Sequence, residues 1–124
     1  MKAEHDESEI IKPKIRDYSR QILVCTGPRC TQNGEGEALF NALQGKLRAA
    51  GLGVDAGPAR VKRTRTGCVA ACQGGPIVAV QPDGVWYYNI SDANIDRIVE
   101  QHLKGGAVVE DLVFHRNGGG DEAC

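Results

Sequence analysis

Thr66-Gly67-Cys68-Val69-Ala70-Ala71-Cys72-Gln73-Gly74-Gly75-Pro76-Ile77-Val78-Ala79-Val80-Gln81-Pro82-Asp83-Gly84-Val85-Trp86-Tyr87-Tyr88 is the stretch on which the fold of this chain turns. Its first part sets two cysteines among alanine, glycine and proline, a loop composition. Its second part is two short apolar runs, Ile77 to Val80 and Val85 to Tyr88, flanking Gln81-Pro82-Asp83-Gly84. Proline presets φ for a turn and glycine supplies positive φ, so the two runs are predicted to pair as an antiparallel hairpin. A loop carrying two thiols therefore leads directly into a sheet.

Toward the N-terminus, Arg60 to Thr66 alternates basic and β-branched side chains, the pattern of a half-exposed strand. Before it, residues 53 to 60 are a glycine-proline connection. Ala38, Leu39, Ala42, Leu43, Leu47 and Ala50 share one helical stripe, with Glu35 and Glu37 in the first turn, Lys46 and Arg48 near the end, and Gly51 as a stop. Thr31 and Asn33 are the candidate N-caps. Ahead of the helix lies a second cysteine pair, Cys25-Thr26-Gly27-Pro28-Arg29-Cys30, entered from the apolar run Ile22-Leu23-Val24. Residues 1 to 19 alternate charge sign around Ile10, Ile11 and Ile15 and contain Pro13. They are expected to form a flexible leader, an arm for the body or for a second subunit.

Toward the C-terminus, Ser91 and Asp92 open a helix whose inner stripe is Ile95, Ile98, Val99, His102 and Leu103, and Gly105-Gly106 ends it. Val108 to Phe114 is a short last strand or a docked tail, and residues 117 to 124 are expected to be a disordered tail ending in Cys124. Residues 20 to 116 thus make one domain. Its order is β-α-β, then a β-hairpin, then α, an α/β thioredoxin-like mixed sheet with helices packed on it.

A chain of 124 residues, 41% hydrophobic, is large enough for one core without disulfides. Its net charge of −1 gives no global field for nucleic acid or an anionic membrane. The polar, acidic N-terminus and the absence of a long apolar run predict a soluble, cytoplasmic protein. Five cysteines in such a setting point to thiol or metal chemistry.

Four soft thiolates on two loops suit a 2Fe-2S cluster, two ligands to each iron. A four-cysteine zinc site, in a regulatory module that binds a protein partner, is the alternative, although neither pair has the two-residue gap common in structural zinc sites. A dithiol oxidoreductase would show Cys-x2-Cys, and a plant-type ferredoxin would place three cysteines in one loop; neither is present. His5, His102 and His115 are not beside either pair, which argues against histidine ligation, and His102 reads as a helix-face or core residue. Cys124 reads as an exposed thiol rather than a ligand. No nucleophile-base arrangement or phosphate-cradling motif is visible, so the chain does not read as an enzyme.

Cys25-x4-Cys30 after a first strand, a helix, then Gly67-Cys68-x3-Cys72 followed by Gln73-Gly74-Gly75-Pro76 and a hairpin resembles the thioredoxin-like 2Fe-2S ferredoxins. More distantly it resembles the small 2Fe-2S subunit of respiratory complex I and related hydrogenases. The likeness covers about residues 20 to 104 and is most specific in its second half, including Val80-x-Pro82-Asp83-Gly84. The gap in the first pair is shorter than the long insert of several family members. The resemblance implies that Cys25, Cys30, Cys68 and Cys72 hold a single 2Fe-2S cluster in a one-electron carrier, often a dimer, that exchanges electrons with a partner redox enzyme.

Arg60, Lys62, Arg63 and Arg65 have three readings: cations that raise the potential of a nearby cluster, a docking patch for an acidic redox partner, or protection of an edge strand. Arg29, inside the first cysteine loop, is better placed for direct tuning. Trp86, Tyr87 and Tyr88 read as cross-strand packing.

Overall fold

The computed structural model describes residues 10–27, 34–67 and 74–117. Five strands form one sheet in the order β2-β1-β3-β4-β5. They are β1 (Arg20–Cys25), β2 (Val61–Thr66), β3 (Val78–Gln81), β4 (Val85–Tyr87) and β5 (Val113–Arg116). β1 and β2 are parallel, which requires a crossover, and α1 (Glu35–Ala49) supplies it. β1 pairs antiparallel with β3, and β3 and β4 form the hairpin expected around Pro82 and Gly84. Val78, Ala79 and Val80 are all buried, as befits a strand with neighbours on both sides and covered faces.

α1 buries Gly36, Leu39, Leu43 and Leu47. Ala38, placed on that stripe by periodicity, is exposed, and Gly36 takes the inner position one turn before Leu39. The N-cap is Gly34, in the left-handed region (φ 81°) and without a side-chain bond. Thr31 and Asn33 therefore do not occupy the cap position, and they lie outside the described residues. At the other end Leu52 N–H donates to Leu47 O and Gly51 N–H to Arg48 O, with Gly51 at φ 78°. That is a Schellman stop, and the buried Leu47 and Leu52 accompany it.

Ser91 caps α2 (Asp92–Arg97) by accepting from Asn94 N–H at 3.1 Å. The helix then widens into a π-helical segment, Ile98–Lys104, that keeps Ile98, Val99, His102 and Leu103 buried. The expected inner stripe is thus present, although the helix is not regular throughout. The last strand starts later than the Val108–Phe114 run implied. Tyr87 Oη accepts from Val109 N–H, and Glu110–Leu112 make a 3-10 turn that buries Leu112 before β5 begins. No helix among the described residues is long and apolar enough to cross a membrane.

Candidate metal centre

Cys25 is the last residue of β1 and is fully buried. Its N–H donates to Ile77 O at 3.0 Å, which ties it to the entry of β3. In the parallel register Cys25 stands opposite Thr66, the last residue of β2. Thr26 fastens that pairing: its N–H and its hydroxyl both donate to Thr66 O, at 2.8 and 2.9 Å. The two cysteine loops therefore leave adjacent strands at the same end of the sheet. Cys68 follows Thr66 by two residues, a reach of about 7 Å.

The second loop returns at Gly74 (φ 77°), and the segment after β4 braces it. Asn89 N–H donates to Gly74 O at 2.7 Å and Ile90 N–H to Pro76 O at 3.2 Å. Asn89 adopts a left-handed backbone (φ 54°), and its carbonyl accepts from Asn94 Nδ2 at 3.1 Å. The start of α2 is thereby linked to the loop exit. The Tyr88 ring lies against Gly74, where an added Cβ would sit 3.6 Å from Tyr88 Cδ2. The first turn of α1 follows the other loop, and its outward N–H groups favour thiolates.

One atom at this end is conspicuous. Thr66 Oγ1 is buried and has no hydrogen-bond partner among the described residues. A buried hydroxyl without a partner costs about 1–3 kcal/mol, so a nearby acceptor would be favoured. The sulfur of a thiolate or a sulfide is such an acceptor. On this count, and on the convergence of the two loops, the donor set fits an iron-sulfur cluster.

Of the sequence-predicted ligands, the structure places Cys25; Cys30, Cys68 and Cys72 lie outside the described residues, as do Arg29, His5 and Cys124. Among the described residues no group of three or more His, Cys, Asp or Glu side chains could hold a metal. His115 meets Trp86 edge-on across the β4–β5 pair, away from Cys25.

His102 is wholly buried and belongs to a network that sequence did not reveal. Its Nδ1 is 2.7 Å from Tyr87 Oη and its Nε2 is 2.7 Å from Asp83 Oδ2. Val109 N–H already donates to Tyr87 Oη at 3.1 Å, so the hydroxyl proton goes to Nδ1 and the Nε2 proton to Asp83. Arg20 Nε adds a bond to Asp83 at 3.1 Å. Burial works to raise the Asp83 pKa, yet the bonds from His102 and Arg20 hold it below the ordinary carboxylate value. Burial pushes the Tyr87 phenol up. A lone histidine on the apolar stripe of a helix was the available signal; its partners, remote in sequence, were not.

The basic strand is engaged with α1 and the leader. Arg63 and Arg65 stack on the Phe40 ring at 4.1 and 4.3 Å, Arg63 Nη1 donates to Phe40 O, and Arg65 pairs with Glu37 at 3.2 Å. Lys62 lies 4.6 Å over the ring of Tyr18.

The chain matches the family thioredoxin-like [2Fe-2S] ferredoxin over residues 14–103. It is 55% identical over 53 residues to a 2Fe-2S ferredoxin of Aquifex aeolicus, covering 43% of this chain and 48% of the relative. Against a 2Fe-2S ferredoxin of Clostridium pasteurianum it is 49% identical over 47 residues, covering 38% of this chain and 46% of the relative. In both cases the match spans a little under half of the relative's length. The structure of a thioredoxin-like [2Fe-2S] ferredoxin from Aquifex aeolicus superposes with a TM-score of 0.68 at 35% identity, covering 82% of this chain and 94% of that one. Fold and these matches define an iron-sulfur protein. The chain belongs to the thioredoxin-like [2Fe-2S] ferredoxin family, whose cofactor is a 2Fe-2S cluster.

Proposed function

We propose that the protein is a one-electron carrier, not an enzyme, in which Cys25, Cys30, Cys68 and Cys72 hold a single 2Fe-2S cluster. The observation that carries this is the register of β1 on β2, which brings Cys25 opposite Thr66 and so starts both cysteine loops side by side. When bound, the cluster accepts and returns one electron. The chain holds its position: Thr26 fixes the strand ends, Asn89 and Ile90 fix the loop exit, and the Thr66 hydroxyl is the donor available to a sulfur. Residues 20–116 form the carrier domain, 1–19 a leader and 117–124 a tail. The protein works in the cytoplasm, as a homodimer, without nucleic acid or membrane. It docks a redox partner protein through the face that bears Arg60, Lys62, Arg63 and Arg65.

Anaerobic purification tests this. The protein should be red-brown, carry about two irons per chain, and lose its visible absorption on reduction with dithionite. A colourless protein holding zinc would overturn the carrier reading in favour of a zinc module.

A further inference from the structure

Four of the described arginines have a carboxylate partner: Arg20 with Asp83, Arg65 with Glu37, Arg97 with Asp111 and Arg116 with Glu110. Arg16, Arg48, Arg60 and Arg63 have none among the described residues. Each of the four borders at least one of three neighbouring hollows, taken together as a groove. Three hollows of about 220, 210 and 440 Å³ share Val54 in their walls and run between the C-terminal half of α1, the connection after it and the start of β2. Arg48, Arg60 and Arg63 border the first, and Arg16 and Arg60 the third. Asp17 and Asp55 border the groove as well, yet neither is within ion-pair distance of these arginines. The groove therefore concentrates positive charge on a chain whose net charge is −1.

The position of this charge separates two uses for it. The groove opens at Arg60 and Val61, and the cysteine loops begin beyond Thr66, five residues along β2. At about 3.3 Å per residue the separation is roughly 16 Å for Arg60, more than a Debye length at physiological ionic strength, whereas Arg63, held on Phe40, stands three residues from Thr66, about 10 Å. Exposed cations as far off as Arg60 hardly tune a cluster, but they act fully on whatever touches them. Val54, 62% exposed, borders all three hollows and adds an apolar contact beside guanidiniums that can bind carboxylates in a planar, bidentate way.

We infer that this groove receives an acidic segment of the redox partner, with carboxylates on Arg16, Arg48 and Arg60 and an apolar side chain on Val54. The inference rests on the carrier reading above and assigns the docking contact to the end of the molecule remote from the cysteines. It divides the partner interface into an electrostatic tether here and an electron-transfer contact at the cysteine end. Charge in such a tether speeds encounter and selects against basic partners.

The test is a titration of the ¹⁵N-labelled holoprotein with a synthetic Glu-Glu-Val-Glu-Glu peptide, followed by amide shifts. The groove lies far enough from the paramagnetic centre for its amides to be observed. Shifts are expected at Gly53, Val54 and Arg60, fading as salt is raised. Arg48→Glu with Arg60→Glu should weaken binding about tenfold or more, and the neutral pair Arg48→Gln with Arg60→Gln by less. The visible spectrum of each variant reports whether it is folded. Binding indifferent to these substitutions, shifts confined to Lys62 and Arg65, or the same shifts produced by inorganic phosphate at equal concentration would each overturn the proposal. An uncoloured protein that still bound the peptide would sink the carrier reading and leave the groove standing.

Discussion

At the cysteine end of the sheet, Cys25, Thr26, Gly74 and Pro76 are held mainly by main-chain hydrogen bonds, whereas at the hairpin end Arg20, Asp83, His102 and Tyr87 are joined through their side chains. Backbone bonds constrain a loop while leaving its side chains available to another partner. A side-chain network uses up every polar group it contains. The tautomer deduced for His102 leaves neither ring nitrogen unbonded, and the buried Tyr87 hydroxyl both donates and accepts. The cysteine end, by contrast, keeps an unbonded hydroxyl, Thr66 Oγ1. One end is organised for a ligand and the other for the fold, and substitutions should separate the two.

The largest effect is expected at the cysteines. Cys25→Ser, Cys68→Ser or Cys72→Ser should abolish or badly destabilise the cluster, seen as loss of visible absorption and of bound iron. Cys124→Ser should leave the spectrum intact. A bleached Cys124 variant would break the four-ligand assignment.

Next comes the hairpin end, where the expected change is in stability with the cluster spectrum preserved. His102→Ala opens a cavity and takes one hydrogen bond from each of Tyr87 Oη and Asp83, which keep Val109 N–H and Arg20 as partners, a cost of about 3 kcal/mol that thermal unfolding would show. If the spectrum were lost before unfolding, the two ends would be coupled and the comparison would fail. Asp83 adds a pH dependence. Its folded pKa lies below the ordinary 3.8, so its stabilising contribution is present above that value and is lost as pH falls through the folded pKa. Asp83→Asn should lower stability at neutral pH by about 1–2 kcal/mol and flatten the acid limb of the stability curve. An unchanged acid limb would show that other carboxylates control it.

Much of this division was legible in the sequence. The hairpin followed from Pro82 and Gly84, and the inner faces of both helices from spacing, because a period of 3.6 or 2 is a local property of the chain. Glycine and proline around the cysteines marked where β1 and β2 end, but Cys25 itself closes β1 rather than lying on a loop, and Cys30, Cys68 and Cys72 lie outside the described residues. The His102 network was not legible: Asp83, Tyr87, His102 and Val109 come from a turn, a strand, a helix and a connection, and only the folded register brings them together. The first turn at Glu35 and Glu37 was legible, but its N-cap was not. Thr31 and Asn33 have good cap chemistry, but the cap takes the left-handed geometry that glycine adopts most readily, and Gly34 supplies it. The basic strand showed its charge in the sequence without its partners. Phe40, which holds Arg63 and Arg65, sits more than twenty residues away on α1.

The smallest effect is also the one that probes the cysteine end most directly. Thr66→Val keeps the shape of the side chain and removes only the hydroxyl. At the hairpin end such a deletion would cost stability, because Tyr87 and His102 would lose a bond. Thr66 Oγ1 has no partner to lose among the described residues, so the apo fold should be unharmed or slightly stabilised. If the hydroxyl donates to a sulfur, its bond is stronger to the reduced, more negative cluster, and removing it should lower the reduction potential. A bond difference of about 1 kcal/mol corresponds to roughly 40 mV for a one-electron couple. Thr66→Ser, which restores the donor, should recover most of that shift. A Thr66→Val protein with unaltered potential would mean that the hydroxyl is merely buried, and that the cysteine end is held by its backbone alone.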